Sequence, residues 1–224
     1  ILEKNWSGSR SKSIKSILSL IVQEPVTGNL AYTNAEIKHS EQKEAVFDFV
    51  DFWKSGRGTA PKMLVFDSKF TTYKNLNKLN QSKDKIKFLT LRRRGKNIIE
   101  EAEDIPENEW QKISIERAKG KYQAIKVHDG TCSLRGYEGK VRQVILKNHG
   151  REKPTFLISN DFELDTRDIV KKYARRWLVE QEIAEQIVFF SLNNPSSSIV
   201  VKVDFDLTLS LLAHNLYKML SSYL

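Results

Sequence analysis

Cysteine is nearly absent from this chain: Cys132 is the only one in 224 residues. A lone cysteine excludes an internal disulfide and a cysteine-rich zinc site, and it fits a reducing compartment. His128 and His149 stand alone, without metal-ligand spacing, and read as loop residues. No apolar run reaches the ~18 residues of a membrane-spanning helix, and the first residues lack a signal-peptide pattern. We therefore expect a soluble cytoplasmic protein. The chain also lacks a glycine-rich phosphate loop, an internal repeat and a Ser/His/Asp arrangement. It opens at Ile1 rather than a methionine, so we expect a fragment or a trimmed product.

What is present is positive charge and enough apolar residues for a core. Lys and Arg number 37 against 28 Asp and Glu, a net +9 with a pI near 9.5, and 40% of residues are hydrophobic. A basic balance of this size suits a polyanionic partner such as nucleic acid, although a merely basic soluble protein would share it. The length fits one large domain or one domain with an insertion.

Along the chain, Ser13–Val22 alternates around Ile14, Ile17, Leu18, Leu20 and Ile21 and reads as a strand. Pro25–Asn29 is a turn, with Gly28 supplying positive φ. Leu30–Ile37 completes a hairpin. Ser40 is placed to cap a helix running to Lys54, with Ala45, Val46, Phe49, Val50 and Trp53 inward and Gly56 and Gly58 ending it. Met63–Phe66 reads as a strand buried on both faces, and Asp67 terminates it. Ligands in open α/β sheets gather at the carboxyl ends of strands, so Asp67 is a candidate for chemistry. Its competing role is an N-cap. A short helix, Thr72–Leu79, and a strand, Lys85–Leu91, follow. That strand runs into Arg92, Arg93, Arg94, Gly95 and Lys96, a cation cluster suited to phosphates or simply to solvent.

Residues 97–161 change character. Short β-type runs at Trp110–Ile115, Tyr122–Val127, Val141–Lys147 and Thr155–Ile158 are separated by turn signals at Lys119-Gly120, Asp129-Gly130, Tyr137–Gly139 and His149-Gly150. A long helix from Asp165 to Leu192 aligns Ile169, Tyr173, Trp177, Glu180, Ala184 and Ile187 on one face. A carboxylate in such a stripe calls for a cation, either an arginine or a metal ion. The plain alternative is a helix pair between Arg176 and Glu180. Asn193, Asn194, Pro195 and three serines break this helix. Ile199–Val203 reads as extended, and Asp206 as the cap of a final helix with Leu209, Leu212, Ala213, Leu216, Tyr217 and Leu220 toward the core.

This layout resembles the ribonuclease-H-like catalytic core of the DDE transposases of bacterial insertion sequences. Leu64-Val-Phe-Asp67-Ser-Lys-Phe-Thr-Thr-Tyr73 is similar to the segment carrying that family's second acid. Tyr173, Arg176 and Glu180 are spaced like the Tyr-Arg-Glu signature around its third acid, and Phe88–Gly95 also resembles a transposase strand. The resemblance spans essentially the whole chain. It implies an α/β fold, a ribonuclease-H-like mixed sheet flanked by helices with an inserted strand-rich subdomain. The core would occupy 1–96 and 162–224 and the insertion 97–161. It further implies metal-dependent DNA cleavage and strand transfer, with Asp67 and Glu180 holding two Mg²⁺ or Mn²⁺ ions. Tyr173, Arg176, Arg92, Arg93, Arg94 and Lys96 would contact DNA, and a homodimer would act on paired ends.

Two departures stand out. Many members carry a lysine seven residues after the glutamate, where this chain has Ile187. No aspartate before residue 48 matches the family's first acid, Glu24 being a poor substitute, so we expect that acid upstream of Ile1. Two rivals follow: an inactive DNA-binding remnant of a transposase, and a ribonuclease-H-like nuclease without strand transfer.

Overall fold

The computed structural model describes residues 3–7, 11–116, 122–150, 152–190, 197, 199–221 and 223. The chain divides into two compact units, one of residues 1–49 and 177–224, the other Val50–Arg176. The division falls inside two helices, α1 (Ala45–Arg57) and α4 (Thr166–Phe190).

The Val50–Arg176 unit is built on a mixed sheet of six strands flanked by helices. Its strands are β5 (Met63–Val65), β6 (Lys87–Leu91), β7 (Gln111–Glu116), β8 (Tyr122–Ser133), β9 (Lys140–Lys147) and β10 (Thr155–Ser159). Their order across the sheet is β5-β6-β10-β9-β8-β7. Only β5 and β6 run parallel, and the connection between them carries α2 (Tyr73–Gln81), as a parallel crossover requires. The strands of 97–161 therefore extend the sheet of β5 and β6 rather than forming one of their own.

Alternation along the strands builds a core on each face. Leu89, Val144, Leu146 and Leu157 point to one side and meet Ile169, Val170 and Tyr173 of α4. Ile145 and Phe156 point to the other, where they meet Ala102, Ile98 and Ile99 of α3 (Lys96–Glu103) and Trp110. In the stretch after Lys96, within the region read as strand-rich, the spacing of Ile98, Ile99 and Ala102 makes a helix that covers that face. The Asp129-Gly130 turn signal is likewise overridden. β8 runs through both residues, because Asp129 and Gly130 pair with Val144 and Gln143 of β9. His128 consequently lies in a strand, not a loop. The expected turns at Gly139 and Gly150 are present, both with positive φ, as is that of Gly136, whereas Lys119-Gly120 lies outside the described residues.

The other unit contains β1 (Glu3–Ser7) paired with β2 (Lys12–Ser16), and a hairpin of β3 (Leu18–Gln23) with β4 (Leu30–Ile37). The alternating stretch expected as one strand is thus two, broken at Ile17, with a different partner for each half. Gly28 takes φ 70° in the turn. Glu24 serves that turn, its carboxylate accepting from the N–H groups of Val26 and Thr27. Ser40 does not cap α1: two turns intervene, with Glu41 N–H donating to Lys38 O and Glu44 N–H to Glu41 O, before the helix begins at Ala45. Its apolar face is as expected, with Ala45, Val46, Phe49 and Val50 buried. Gly58, at φ 71°, donates to Lys54 O and ends it.

The final helix, α5 (Val200–Ser221), departs most from expectation. It begins in the stretch read as extended, so Asp206 is inside it rather than at its cap. The side toward β4 buries Val203 but carries polar groups as well. Asp204 accepts from Ala35 N–H at 2.7 Å, and the Asn215 amide bonds Leu30 N–H and C=O at 2.9 and 2.8 Å. Lys218 Nζ donates to Gly28 O at 3.0 Å. These side chains satisfy backbone groups along an edge strand, which would otherwise be unpaired. Leu209, Leu212, Leu216, Tyr217 and Leu220, expected inward, are exposed.

No helix among the described residues is long and apolar enough to cross a membrane.

Candidate nucleic-acid interface

Because β5 and β6 are parallel and aligned Leu64 to Phe88, their carboxyl ends lie at the same end of the sheet. Phe66 N–H donates to Leu89 O at 3.2 Å, and Thr90 Oγ1 to Phe66 O at 2.9 Å, which extends the alignment to the strand tips. Asp67 leaves β5 there. Arg92 leaves β6 there. The carboxylate and the cation run that the sequence separates by 24 residues thus share one strand-end region.

Asp67 is half-buried and caps the short 3-10 turn Ser68–Phe70, its Oδ1 accepting from Lys69 N–H at 2.9 Å. The capping alternative is therefore realised for this turn, while Thr72 Oγ1 caps α2 through Asn75 N–H at 3.2 Å. One bond uses little of a carboxylate's capacity, about four lone-pair directions over two oxygens. Capping by Oδ1 and ligand binding by Oδ2 are compatible.

The cations are not equivalent. Arg92 is half-buried and tied inward, its Nη1 donating to Gln143 Oε1 of β9 at 2.6 Å. Arg93 and Arg94 are exposed, and Arg94 Nη1 reaches Pro154 O at 3.4 Å. Lys96 is exposed and sits 3.6 Å from Glu100, one helical turn on. Beyond it Glu100, Glu101, Glu103 and Asp104 make the rest of α3 and its end acidic, which confines the positive stretch to 92–96.

Tyr173 is 7% exposed and belongs to the core between α4 and the sheet, so little of its ring is offered to solvent. It seats Arg176 instead: the guanidinium carbon lies 5.4 Å from the Tyr173 ring centroid, within cation–π range. Glu180 is exposed, not held in a buried stripe; Ile169 and Tyr173 are buried but Ala184 is exposed. The side chains of Trp177 and Ile187 lie outside what is described, as does the Asn193-Asn194-Pro195 break. Glu180 belongs to the unit of 1–49 and 177–224, Asp67 to the other. Among the described residues no three His, Cys, Asp or Glu side chains gather as a group that could hold a metal.

Sequence reasoning missed the group that holds the start of α4. Arg142 of β9, almost fully buried, donates from Nε and Nη2 to Asp129 Oδ1 and Oδ2 at 3.0 and 2.5 Å. Its other bonds reach Thr166 Oγ1 and the Leu164 and Asp161 carbonyls, and Thr166 also donates to Asp129. Burial pushes the Asp129 carboxyl up, but the Arg142 and Thr166 hydrogen bonds and the Arg142 charge outweigh it and hold it below the ordinary range. The same pairing raises the Arg142 guanidinium. Only the β8–β9 register brings these residues together; Asp129-Gly130 by itself signals a turn.

No protein-family model and no curated protein matches the sequence.

Proposed function

We propose that this chain is the catalytic domain of a DDE transposase of the bacterial insertion-sequence type, which binds DNA and carries out metal-dependent strand cleavage and strand transfer. The observation that supports this most is the meeting of Asp67 with the 92–96 cation run at the carboxyl ends of two adjacent parallel strands. In that arrangement Arg93, Arg94 and Lys96 position the phosphate backbone by charge. Arg176, oriented by the Tyr173 ring, meets the phosphate near the cut. Arg92 braces the strand end through Gln143. The donor chemistry of Asp67 and Glu180, hard carboxylate oxygens, fits Mg²⁺ or Mn²⁺. When bound, a pair of such ions activates the attacking oxygen and stabilises the leaving one. The ribonuclease-H-like arrangement of the sheet belongs to this proposal, as does action on paired DNA ends.

A second reading is a DNA-binding protein without catalysis. Arg93, Arg94 and Lys96, exposed beside β6, would bind a phosphate backbone with or without a metal, which suits this reading equally.

The test is nicking of supercoiled plasmid in Mn²⁺ by the protein at its full natural length, alongside a gel-shift assay. Asp67→Asn and Glu180→Gln should each lower nicking at least about 100-fold and leave DNA binding unchanged. Near-normal nicking by either variant would falsify the site. Binding without nicking by the wild type selects the second reading. Cut but never joined DNA selects a nuclease.

A further inference from the structure

The crossover between β5 and β6 is one-sided in charge. Residues Ser68–Lys83, which include α2, hold Lys69, Lys74, Lys78 and Lys83 and no Asp or Glu. All four lysines are exposed. Lys74 and Lys78 stand one turn apart on α2, a spacing at which like charges are mildly destabilising. The fold brings a further cation from a distant stretch, because the turn between β8 and β9, residues 134–139, is fastened to α2. Glu138 N–H donates to Asn77 Oδ1 at 2.9 Å, and Gln81 Nε2 donates to Glu138 Oε2 at 3.0 Å. Tyr137 is buried edge-on against the Phe88 ring, with centroids 6.1 Å apart. Gly136, at φ 86°, lets the turn close on the Lys74 stem, since a Cβ there would meet Lys74 Cγ at 3.0 Å. Arg135, the residue before it, is exposed. We propose that Lys69, Lys74, Lys78 and Arg135 form a second phosphate-binding tract for double-stranded DNA, separate from the 92–96 run.

Three observations favour a nucleic-acid backbone over another anion. First, the two carboxylates that border the tract beyond Asp67 are engaged: Glu138 holds the turn to α2, and Asp84 is paired with Lys54 at 2.7 Å. Second, none of the large apolar side chains that the chain exposes falls within 68–83 or 134–139. A protein partner needs an apolar centre to its interface, whereas phosphates need only closely spaced cations. Third, the tract has a direction. Asp67 ends β5, and α2 carries the chain from there back toward the start of β6, so Lys69, Lys74 and Lys78 lead away from Asp67 in that order. The nine residues of α2 span ~13 Å, about four base steps at ~3.4 Å each. A duplex held at the Asp67 end would therefore be followed along one strand by the lysine row, with Arg135 of the β8–β9 turn at its side. This inference rests on the DNA reading above but not on its metal chemistry.

The experiment is fluorescence anisotropy of the full chain with a short DNA duplex at graded salt concentrations. The triple variant Lys74→Gln, Lys78→Gln, Arg135→Gln should bind at least about tenfold more weakly at low salt, with its urea midpoint unchanged. Its plot of log affinity against log salt should be shallower by about 2–3, since each lost phosphate contact removes ~0.9 from the slope. A control with the same loss of charge, Lys12→Gln, Lys15→Gln, Lys62→Gln, all exposed elsewhere, should keep the wild-type slope. Arg135→Cys in a Cys132→Ser background, carrying a photoreactive label, should crosslink to the duplex. A wild-type slope in the first variant overturns the tract, and so does an equal loss in both variants, which would reduce it to overall charge. Either result leaves the Asp67 site standing if the wild type still nicks DNA. Normal nicking by Asp67→Asn beside a shallower slope in the first variant has the opposite meaning: the tract holds and the catalytic site does not.

Discussion

The two units handle apolar surface differently. In Val50–Arg176 the six-stranded sheet is covered on both faces: α4 buries Leu89, Val144, Leu146 and Leu157, and α3 buries Ile145 and Phe156. In the unit of 1–49 and 177–224, the β3–β4 hairpin receives α5 through polar side chains as well as Val203, and Leu209, Leu212, Leu216 and Leu220 face outward. A covered sheet interior leaves no edge for helix side chains to satisfy, so packing is decided by shape. The outer edge of β4 carries unpaired N–H and C=O groups, and meeting them takes precedence over burying leucine. An unmet buried polar group costs about 1–3 kcal/mol, comparable to one leucine's burial.

The contrast can be tested by substitution. The largest effect is expected at the sheet interior: Leu157→Ala, 1% exposed, should cost about 3 kcal/mol, read as a lowered urea midpoint. A cost under about 1 kcal/mol would mean that this face is not tightly packed.

An intermediate effect is expected at the partly buried Arg142–Asp129 ion pair. The folded Asp129 carboxyl lies below its unfolded value, so the folded state binds fewer protons there. Its contribution is full above the unfolded value of about 3.9 and is lost as pH falls through the folded value. Asp129→Asn should therefore lower the urea midpoint at neutral pH, and the gap from wild type should narrow as the solution is acidified below pH ~4. A gap independent of pH would show that Asp129 acts through packing rather than charge.

The smallest effect is expected at the outward leucines of α5. Leu212→Ala should change stability by less than about 0.5 kcal/mol. A loss of Leu157 size would place Leu212 inside a core and erase the distinction between the units.

Local pattern was sufficient where the chain's own neighbours decide the outcome. Leu30–Ile37, Met63–Val65, the Gly28 turn, the Gly58 helix stop and the inward face of α1 all rest on nearest-neighbour chemistry: side-chain alternation, glycine at positive φ, apolar residues at helical spacing. The meeting of Asp67 with the 92–96 run was also legible, because a parallel crossover places two strand ends on one side. Where the sequence misled, a distant partner outweighed the local signal. Asp129-Gly130 has the chemistry of a turn, yet pairing with β9 and the Arg142 guanidinium draw it into a strand. The helical stripe already puts Tyr173 inward with Ile169, where the sheet beneath α4 buries it; only the resemblance turns it toward DNA. The 96–103 segment reads only as the start of the strand-rich stretch, and Ile98, Ile99 and Ala102 meeting Ile145 and Phe156 make it a covering helix. In α5 the sequence supplies apolar residues on nearly every side of the helix, with Asp204, Asn215 and Lys218 among the polar exceptions. Which face turns inward is a property of the tertiary structure alone, because the edge of β4 offers hydrogen-bonding groups that only Asp204 and Asn215 can satisfy.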